Sequence, residues 1–305
     1  MVSTGTQSRC KAESLEILNL LLACPNIDCF ILKRGMSGYG QVDEIAEKVS
    51  NHPETTFRNL TQLWYELYPT DETWQMLLCM PSLRQLAIGE MGLKLDPYLA
   101  APPPNFPTFA LERLTVMGEV DYYDWILYSS SDSLRYLNLH CVCITILDRT
   151  EAHAEFQAAL ERCGNSIRHI YLDQYDNGLL PTHSVLFLCP FLRTFKVSLT
   201  TSVTSMQTHQ NLAAYLSGLQ RSLEHLHLVY AGEFINDDGV AMVMELVEGH
   251  PVLQGLKRLC IETKGIMWSP EGEKRVDISP LRSVCLEKGV VLRTSSDEKI
   301  NAGLQ

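Results

Sequence analysis

The sequence predicts an α/β fold of the leucine-rich-repeat type, a solenoid with a curved parallel sheet on its concave face and helices on its convex face. Three observations predict it. A short apolar motif recurs along the chain, its spacing is sustained, and segments with helical periodicity separate the copies. About ten irregular repeats are expected.

The motif is a large apolar residue, two variable residues, a second apolar residue, one variable residue and a third apolar residue. The eight clear copies are Leu83-Leu86-Ile88, Leu111-Leu114-Val116, Leu134-Leu137-Leu139, Ile167-Ile170-Leu172, Leu192-Phe195-Val197, Leu223-Leu226-Leu228, Leu256-Leu259-Ile261 and Leu281-Val284-Leu286. Two weaker copies lie upstream, Leu60-Leu63-Tyr65 and Ile27-Phe30-Leu32. Successive first positions of the clear copies are 23 to 33 residues apart, a regularity that chance does not sustain over eight copies.

Segments with helical apolar spacing lie between the motifs. The clearest are Ser14 to Cys24, Asp71 to Cys79, Glu151 to Cys163, His209 to Leu219 and Asp237 to Val247. Strands and helices therefore alternate, and the leucine positions are expected to fill a core between sheet and helices. Several cysteines recur at the helix ends, which indicates packing rather than zinc binding, since zinc sites use close pairs such as C-x-x-C.

Composition and charge narrow the function. The chain has 305 residues, 46% hydrophobic residues and a formal charge of -11, which opposes nucleic-acid binding. No apolar run is long enough to cross a membrane, and no export signal is recognised. The ten cysteines form no local disulfide framework, so a cytoplasmic or nuclear location is predicted. The predicted organisation is a tail at 1–13, the solenoid at 14–294 and a disordered tail at 295–305.

The proline-rich stretch from Asp96 to Pro107 cannot continue a helix. It is interpreted as an extended loop on the convex side. The alternative is a docking site for a proline-reading module, for which only Pro104-Asn105-Phe106-Pro107 has suitable spacing.

A partner surface follows from the alternation of side chains along a strand, because the residues between and just after the buried positions line the other face of the sheet. We predict protein binding there. The candidate residues are Arg113, Tyr136, Asn138, His140, His169, Tyr171, Asp173, Lys196, His225, His227 and Arg258. The alternative is an ordinary solvated polar face. No metal, cofactor or catalytic residue is predicted. His225 and His227 share a face and could both bind a metal ion, but a third histidine, His169, lies two strands away, ~10 Å at the backbone.

The helix-end sequences Cys24-Pro25-Asn26-Ile27 and Cys189-Pro190-Phe191-Leu192 resemble those of fungal F-box/leucine-rich-repeat proteins. The ending from Leu281 to Val290 is similar to the closing repeat of that group, where the last strand gives way to a terminal hairpin. In that family, an N-terminal F-box binds the Skp1 adaptor of a cullin-RING ubiquitin ligase, and the repeats recruit the substrate. No F-box-like Leu-Pro-x-Glu opening is found in this sequence.

The resemblance implies a non-enzymatic interaction module that acts as the substrate-recognition part of an SCF-type ubiquitin ligase, or a derivative that lacks the F-box. Skp1 and cullin are expected partners only if an F-box lies upstream. The alternative is a leucine-rich-repeat scaffold or inhibitor unrelated to ubiquitination.

Overall fold

The structure is a computed structural model, and it describes the following residues: 27–32, 57–65, 71–89, 104–118, 123–140, 150–173, 182–200, 212–221, 223–231, 237–264 and 277–294. The chain divides into two compact units, unit 1 at 1–166 and unit 2 at 167–305. Each unit is described by itself.

The described residues of each unit contain five strands. Those of unit 1 are β1 (Cys29–Leu32), β2 (Gln62–Tyr65), β3 (Gln85–Gly89), β4 (Arg113–Met117) and β5 (Tyr136–His140). Those of unit 2 are β6 (His169–Asp173), β7 (Thr194–Thr200), β8 (His225–Ala231), β9 (Arg258–Lys264) and β10 (Val291–Thr294). Within each unit, every strand pairs in parallel with the next one along the chain.

Helices fall between the strands. They are α1 (Asp71–Leu78), α2 (Tyr123–Ile126), α3 (Thr150–Cys163), α4 (Thr182–Phe187), α5 (Asp237–Gly249) and α6 (Ser279–Glu287), with a 3₁₀ turn at Pro251–Leu253. Residues 212–217 are also helical. The predicted helices at 71–79, 151–163, 209–219 and 237–247 are thus confirmed to within a few residues, and the one at 14–24 lies outside the described residues. None of the helices in the described ranges is long and apolar enough to span a bilayer.

The core follows the motif. In unit 1, Leu63, Leu86, Leu114 and Leu137 stand in one register across four strands and are at most 3% exposed. In unit 2, the same position is filled by Ile170, Phe195, Leu226 and Leu259, at most 1% exposed. Burying such side chains contributes about 1.5 to 3 kcal/mol each. The parallel strands, their chain order and the intervening helices give each unit the architecture of an α/β leucine-rich-repeat solenoid.

The residue after the first apolar position links neighbouring repeats through its carbonyl group. The Arg84 carbonyl accepts hydrogen bonds from the amides of Glu112 and Arg113, at 2.7 and 3.0 Å. In unit 2, the Arg193 carbonyl accepts both amides of the pair Glu224 and His225, each at 2.9 Å. Because these bonds use only backbone groups, they hold the strands in register whatever side chains the open face carries.

Basic side chains at this position add a second link in unit 1. The Arg84 guanidinium donates to the Ala110 carbonyl at 3.2 Å, just before the first leucine of the next repeat. Arg135 donates to the Ser166 carbonyl at 3.1 Å, at the same point of its following repeat. The recurring arginine of the motif therefore stabilises the junction between repeats.

The prediction for the last repeat was wrong. The motif Leu281-Val284-Leu286 belongs to helix α6 and not to a strand. Leu281, Val284 and Cys285 are buried, at the i, i+3, i+4 spacing of a helix, whereas Leu286 is 81% exposed. Pro280 at the start favours a helix, and Gly289 with φ of +69° follows its end.

The last strand of the described residues is β10, which follows α6 and pairs in parallel with β9; the terminal hairpin that the resemblance implied would extend into residues outside the described ranges. This closing repeat also departs from the backbone pattern of the others. The Val290 amide donates to the Cys285 carbonyl of α6 at 2.7 Å, and only the Val291 amide donates to the Lys257 carbonyl. In the preceding repeats both amides at this point donate to the neighbouring repeat. In the closing repeat, one of the two donates to α6 instead.

The proline-rich stretch is described only from residue 104 onwards, where it has no regular secondary structure. Its backbone is fixed to the turn around α2: the Trp125 indole donates to the Asn105 carbonyl at 2.8 Å, and the Ser129 hydroxyl donates to the Pro107 carbonyl at 2.8 Å. Phe106 stacks on Tyr128 with ring centroids 3.8 Å apart. These contacts agree with the interpretation of this part as a structural loop.

Candidate functional site

The open face of each unit is the side of its sheet that carries the residues alternating with the buried apolar positions. The opposite side of the sheet faces the helices. Tyr65 points to that side, because its hydroxyl oxygen lies 2.8 Å from the hydroxyl oxygen of Thr73 on α1. In unit 1, strand pairing aligns the open-face residues in three rows: Cys29, Gln62, Gln85, Arg113 and Tyr136; Ile31, Trp64, Ala87, Thr115 and Asn138; and Gly89, Met117 and His140. This set is called the unit 1 face.

In unit 2, the aligned rows are His169, Thr194, His225, Arg258 and Val291; Tyr171, Lys196, His227, Cys260 and Arg293; and Ser198, Val229 and Glu262. Asp173 ends β6, two residues after Tyr171. This set is called the unit 2 face. Of the predicted site residues, Arg113, Tyr136, Asn138 and His140 therefore lie on the unit 1 face and the other seven on the unit 2 face. Their joining into one patch stays a prediction.

The polar part of the unit 1 face is ordered by side-chain contacts. The Arg113 guanidinium carbon lies 4.6 Å from the centroid of the Tyr136 ring, a cation–π contact. The Asn138 amide nitrogen donates to the Thr115 hydroxyl at 3.1 Å. These contacts hold three of the predicted binding residues in defined positions before any partner arrives, which lowers the entropy cost of binding.

Beside these polar groups, the unit 1 face carries two exposed apolar side chains at a cavity. Ile31 and Trp64 are neighbours in the strand register and are 53% and 40% exposed. They line a cavity of about 240 Å³ whose wall also includes Cys29, Gln62, Leu63, Gln85, Leu86, Ala87, Arg113, Thr115, Asn138 and His140. The short side chain of Ala87 leaves room between the larger residues. No residue of β1 or β2 was among the predicted binding residues, although the two weaker upstream motifs already placed Ile31 and Trp64 on this face.

The unit 2 face is dominated by charged and aromatic groups. The Lys196 ammonium lies 4.6 Å from the centroid of the Tyr171 ring and 3.4 Å from a Glu262 carboxylate oxygen. The same oxygen is 3.1 Å from Nε2 of His227. Lys196, His227 and Glu262 are each about one quarter exposed, so the cluster is shielded but reachable from solvent.

Glu262 was not among the predicted binding residues, although its row position was readable from the motif. It is the carboxylate that brings Lys196 and His227 together, and the sequence gives no sign of this pairing because the three residues lie on different strands. Arg293 was missed because the last strand was assigned to the motif Leu281-Val284-Leu286. That motif lies in α6, and the strand is β10.

His225 and Arg258 are neighbours in the first row of unit 2. Nδ1 of His225 is 3.3 Å from the Thr194 hydroxyl. Burial lowers the pKa of His225, and the positive charge of Arg258 lowers it further, because both disfavour the protonated ring. The neutral form of this histidine is therefore favoured on the unit 2 face.

Asp173 departs from the predicted placement. It was expected on an accessible binding surface, but it is only 8% exposed. Thr115 on the unit 1 face, and Ser198 and Val229 on the unit 2 face, are buried as well. Alternation along a strand defines the direction of a side chain, whereas burial depends on the segments that cover the end of the strand.

No cluster that could hold a metal ion is found in the described parts of either unit. The described cysteines are free thiols, and of those at the helix ends Cys163 and Cys189 are buried, whereas Cys79 is half-buried. Burial raises the pKa of the Cys163 thiol to about 11, so this sulfur stays protonated at neutral pH and behaves as a small apolar group.

No protein-family model matches the sequence, and no curated protein is significantly similar to it. Among solved structures, the chain is similar to the leucine-rich repeat-containing protein LegL7 from Legionella pneumophila. The TM-score is 0.46 and the sequence identity 15%, over 80% of this chain and 78% of that one. A likeness this distant carries no argument about function.

Proposed function

We propose that the protein is a protein-interaction module that binds its partner through the open faces of its sheets. The observation that carries the proposal is the ordered set of aromatic and charged side chains on these faces, in which Arg113 contacts Tyr136 and Lys196 contacts Tyr171. Tyrosine and arginine are enriched at binding hot spots, because they bury a large area and keep a polar end.

The finer form of the proposal is that the module is the substrate-recognition part of an SCF-type ubiquitin ligase, or a derivative that lacks the F-box, acting in the cytosol or nucleus. The resemblance of the helix-end sequences to F-box/leucine-rich-repeat proteins supports it. The free thiols of the described cysteines favour a reducing compartment. The rival is a scaffold or inhibitor unrelated to ubiquitination.

Affinity purification of the tagged full chain, followed by mass spectrometry, tests both the binding through the open faces and the role in a ubiquitin ligase. The variant Tyr136→Ala with Tyr171→Ala is expected to lose the partners that the wild type recovers. The control is Tyr128→Ala, which removes an exposed tyrosine from the turn after α2. Equal recovery by the double variant and the wild type would contradict binding through the open faces.

The identity of the recovered proteins tests the finer form. Skp1 and cullin among them would establish a role as a ligase receptor, and the substrate would then be among the other partners. Reproducible recovery of other proteins without Skp1 and cullin would favour the scaffold or inhibitor and would remove ubiquitination from the account.

A further inference from the structure

Charged residues are unevenly distributed in unit 2. Helix α5 carries four acidic residues and no lysine or arginine: Asp237, Asp238, Glu245 and Glu248. The unit 2 face carries three cationic side chains, Lys196, Arg258 and Arg293, in a chain whose formal charge is -11. Its carboxylates are Glu262, about one quarter exposed, and Asp173, which is buried. The open face is therefore a locally basic surface on an acidic protein.

Lys196 and the two arginines differ in what neutralises them. Lys196 forms an ion pair with Glu262 at 3.4 Å. For Arg258 and Arg293, no ion pair is seen with any residue in the described part of the chain. Two partly exposed guanidinium groups thus retain donors for an external anion.

The two arginines lie close to each other. Arg293 pairs in register with Cys260, which is two residues after Arg258 on the neighbouring strand. A strand spacing of ~4.8 Å and a rise of ~3.3 Å per residue put their Cα atoms roughly 8 Å apart. Long side chains at that separation reach the same acidic group or two groups on one extended segment. Guanidinium groups bind carboxylates through two parallel hydrogen bonds, which gives geometric as well as electrostatic selectivity.

Two further basic residues, Arg193 and Lys257, directly precede β7 and β9, at the amino-terminal edge of the sheet. Lys257 and Arg193 are 67% and 64% exposed, and both approach the one carboxylate of Glu224, at 3.0 and 3.9 Å. One carboxylate cannot neutralise two cations, so this edge also has a net positive charge. Val291, which is 54% exposed, lies beside Arg258 in the strand register. An apolar side chain of a ligand, next to an acidic group bound by Arg258, would pack against Val291.

We propose that the unit 2 face binds an acidic segment of a partner protein, with Arg258 and Arg293 holding its carboxylates. The inference rests on the proposed function and names the chemistry of the partner. Complementary charge increases the rate of association and selects among partners. Release of the acidic segment by salt is expected, because the arginines are partly exposed to solvent.

The test uses the full chain and an array of synthetic 15-residue peptides. Each peptide is made in an acidic form with alternating glutamate and apolar residues, and in a matched form with glutamine. We expect acidic forms to bind at least tenfold more tightly than their glutamine counterparts, and binding to weaken between 50 and 300 mM NaCl. Arg258→Gln with Arg293→Gln should remove most of this preference.

Two further variants control for folding and for general charge. Arg282→Gln removes one exposed arginine from α6, away from the open face, and should bind the acidic peptides as the wild type does. Arg258→Lys with Arg293→Lys keeps both charges but loses the paired hydrogen bonds, so partial binding is expected. Thermal melting shows whether each variant remains folded.

Equal binding of acidic and glutamine peptides would overturn the proposal, as would retention of a single-stranded RNA oligonucleotide with no acidic peptide retained. Wild-type affinity in the Arg258→Gln, Arg293→Gln variant would overturn it too. The proposed function fails separately: it stands if the wild type captures partners that require Tyr136 and Tyr171, even when their capture does not depend on the two arginines.

Discussion

The two units bury the same kind of core and present different open faces. In unit 1, Ile31 and Trp64 are exposed beside a cavity of about 240 Å³. In unit 2, Lys196, Arg258 and Arg293 make the corresponding surface basic. In both units one carbonyl accepts two amides of the next repeat, except at the closing repeat of unit 2, where the Lys257 carbonyl accepts one. The comparison shows that the buried motif positions and backbone bonds define how the strands pair. The side chains of the open face do not take part in this pairing and differ between the units.

The prediction with the largest expected effect tests whether the two hydrophobic cores contribute equally to stability. Leu114→Ala in unit 1 and Leu226→Ala in unit 2 each remove a fully buried side chain from the same motif position. Each is expected to lower the free energy of unfolding by about 2 to 5 kcal/mol, measured by urea denaturation. Leu286→Ala, at a position 81% exposed, serves as the control and should change stability by less than about 0.5 kcal/mol. A large loss in one unit only would contradict the equivalence of the two cores.

The second prediction concerns the apolar character of the unit 1 face. Ile31→Ser with Trp64→Ser should reduce the fluorescence of bound bis-ANS severalfold, because neighbouring exposed apolar groups form the patch that such dyes bind. Val291→Ser with Leu286→Ser removes two exposed apolar side chains from unit 2 and should change the signal little. If the second variant lost as much dye binding as the first, the contrast between the faces would not hold.

The third prediction uses pH. The lowered pKa of His225 means that the folded state holds its proton less tightly than the unfolded state, whose ordinary pKa is 6.5. This contribution to stability is complete above pH 6.5 and is lost as the pH falls from there towards the lowered folded pKa. His225→Gln should therefore show a smaller loss of stability between pH 7.5 and 5.5 than the wild type, measured by urea denaturation. An unchanged loss would show that His225 does not contribute.

The smallest expected effect compares the two cation–π contacts, both at 4.6 Å. Double-mutant cycles with Arg113→Ala and Tyr136→Ala, and with Lys196→Ala and Tyr171→Ala, should each give a coupling energy of about 0.5 to 1 kcal/mol in urea unfolding. In unit 2, Glu262→Gln should increase the coupling, since the carboxylate competes for the Lys196 ammonium. Zero coupling in unit 1 would show that Arg113 is not held by the ring.

Much of the fold could be predicted from the sequence, because each unit repeats a local pattern. The strand positions β1 to β9 follow from the apolar motif, and the helix ends from the recurring cysteines, of which Cys163 and Cys189 are buried as expected. The last repeat could not be assigned this way. Leu281-Arg282-Ser283-Val284-Cys285-Leu286 fits the strand motif and a helical face equally well, and Pro280 and Gly289 favour the helix.

The candidate site was predicted in part. The rows of Tyr136, Tyr171 and Lys196 follow from alternation, and their partly exposed positions agree with it. The contact between Lys196 and Glu262 joins residues 66 apart in sequence, and no local signal encodes which members of a row approach each other. The burial of Asp173 is equally non-local.

The sequence by itself determined the repeating architecture, the register of the strands and the direction in which the motif residues of β1 to β9 point. These features depend on the period of the apolar positions, which recurs in every repeat up to β9, and on the backbone hydrogen bonds that join one repeat to the next. Only the tertiary structure decided that Ile31 and Trp64 border a cavity, that Glu262 neutralises Lys196, and that Arg258 and Arg293 lie two positions apart in the register of neighbouring strands. Those features depend on distances between side chains of different repeats, which are fixed only when the strands have packed.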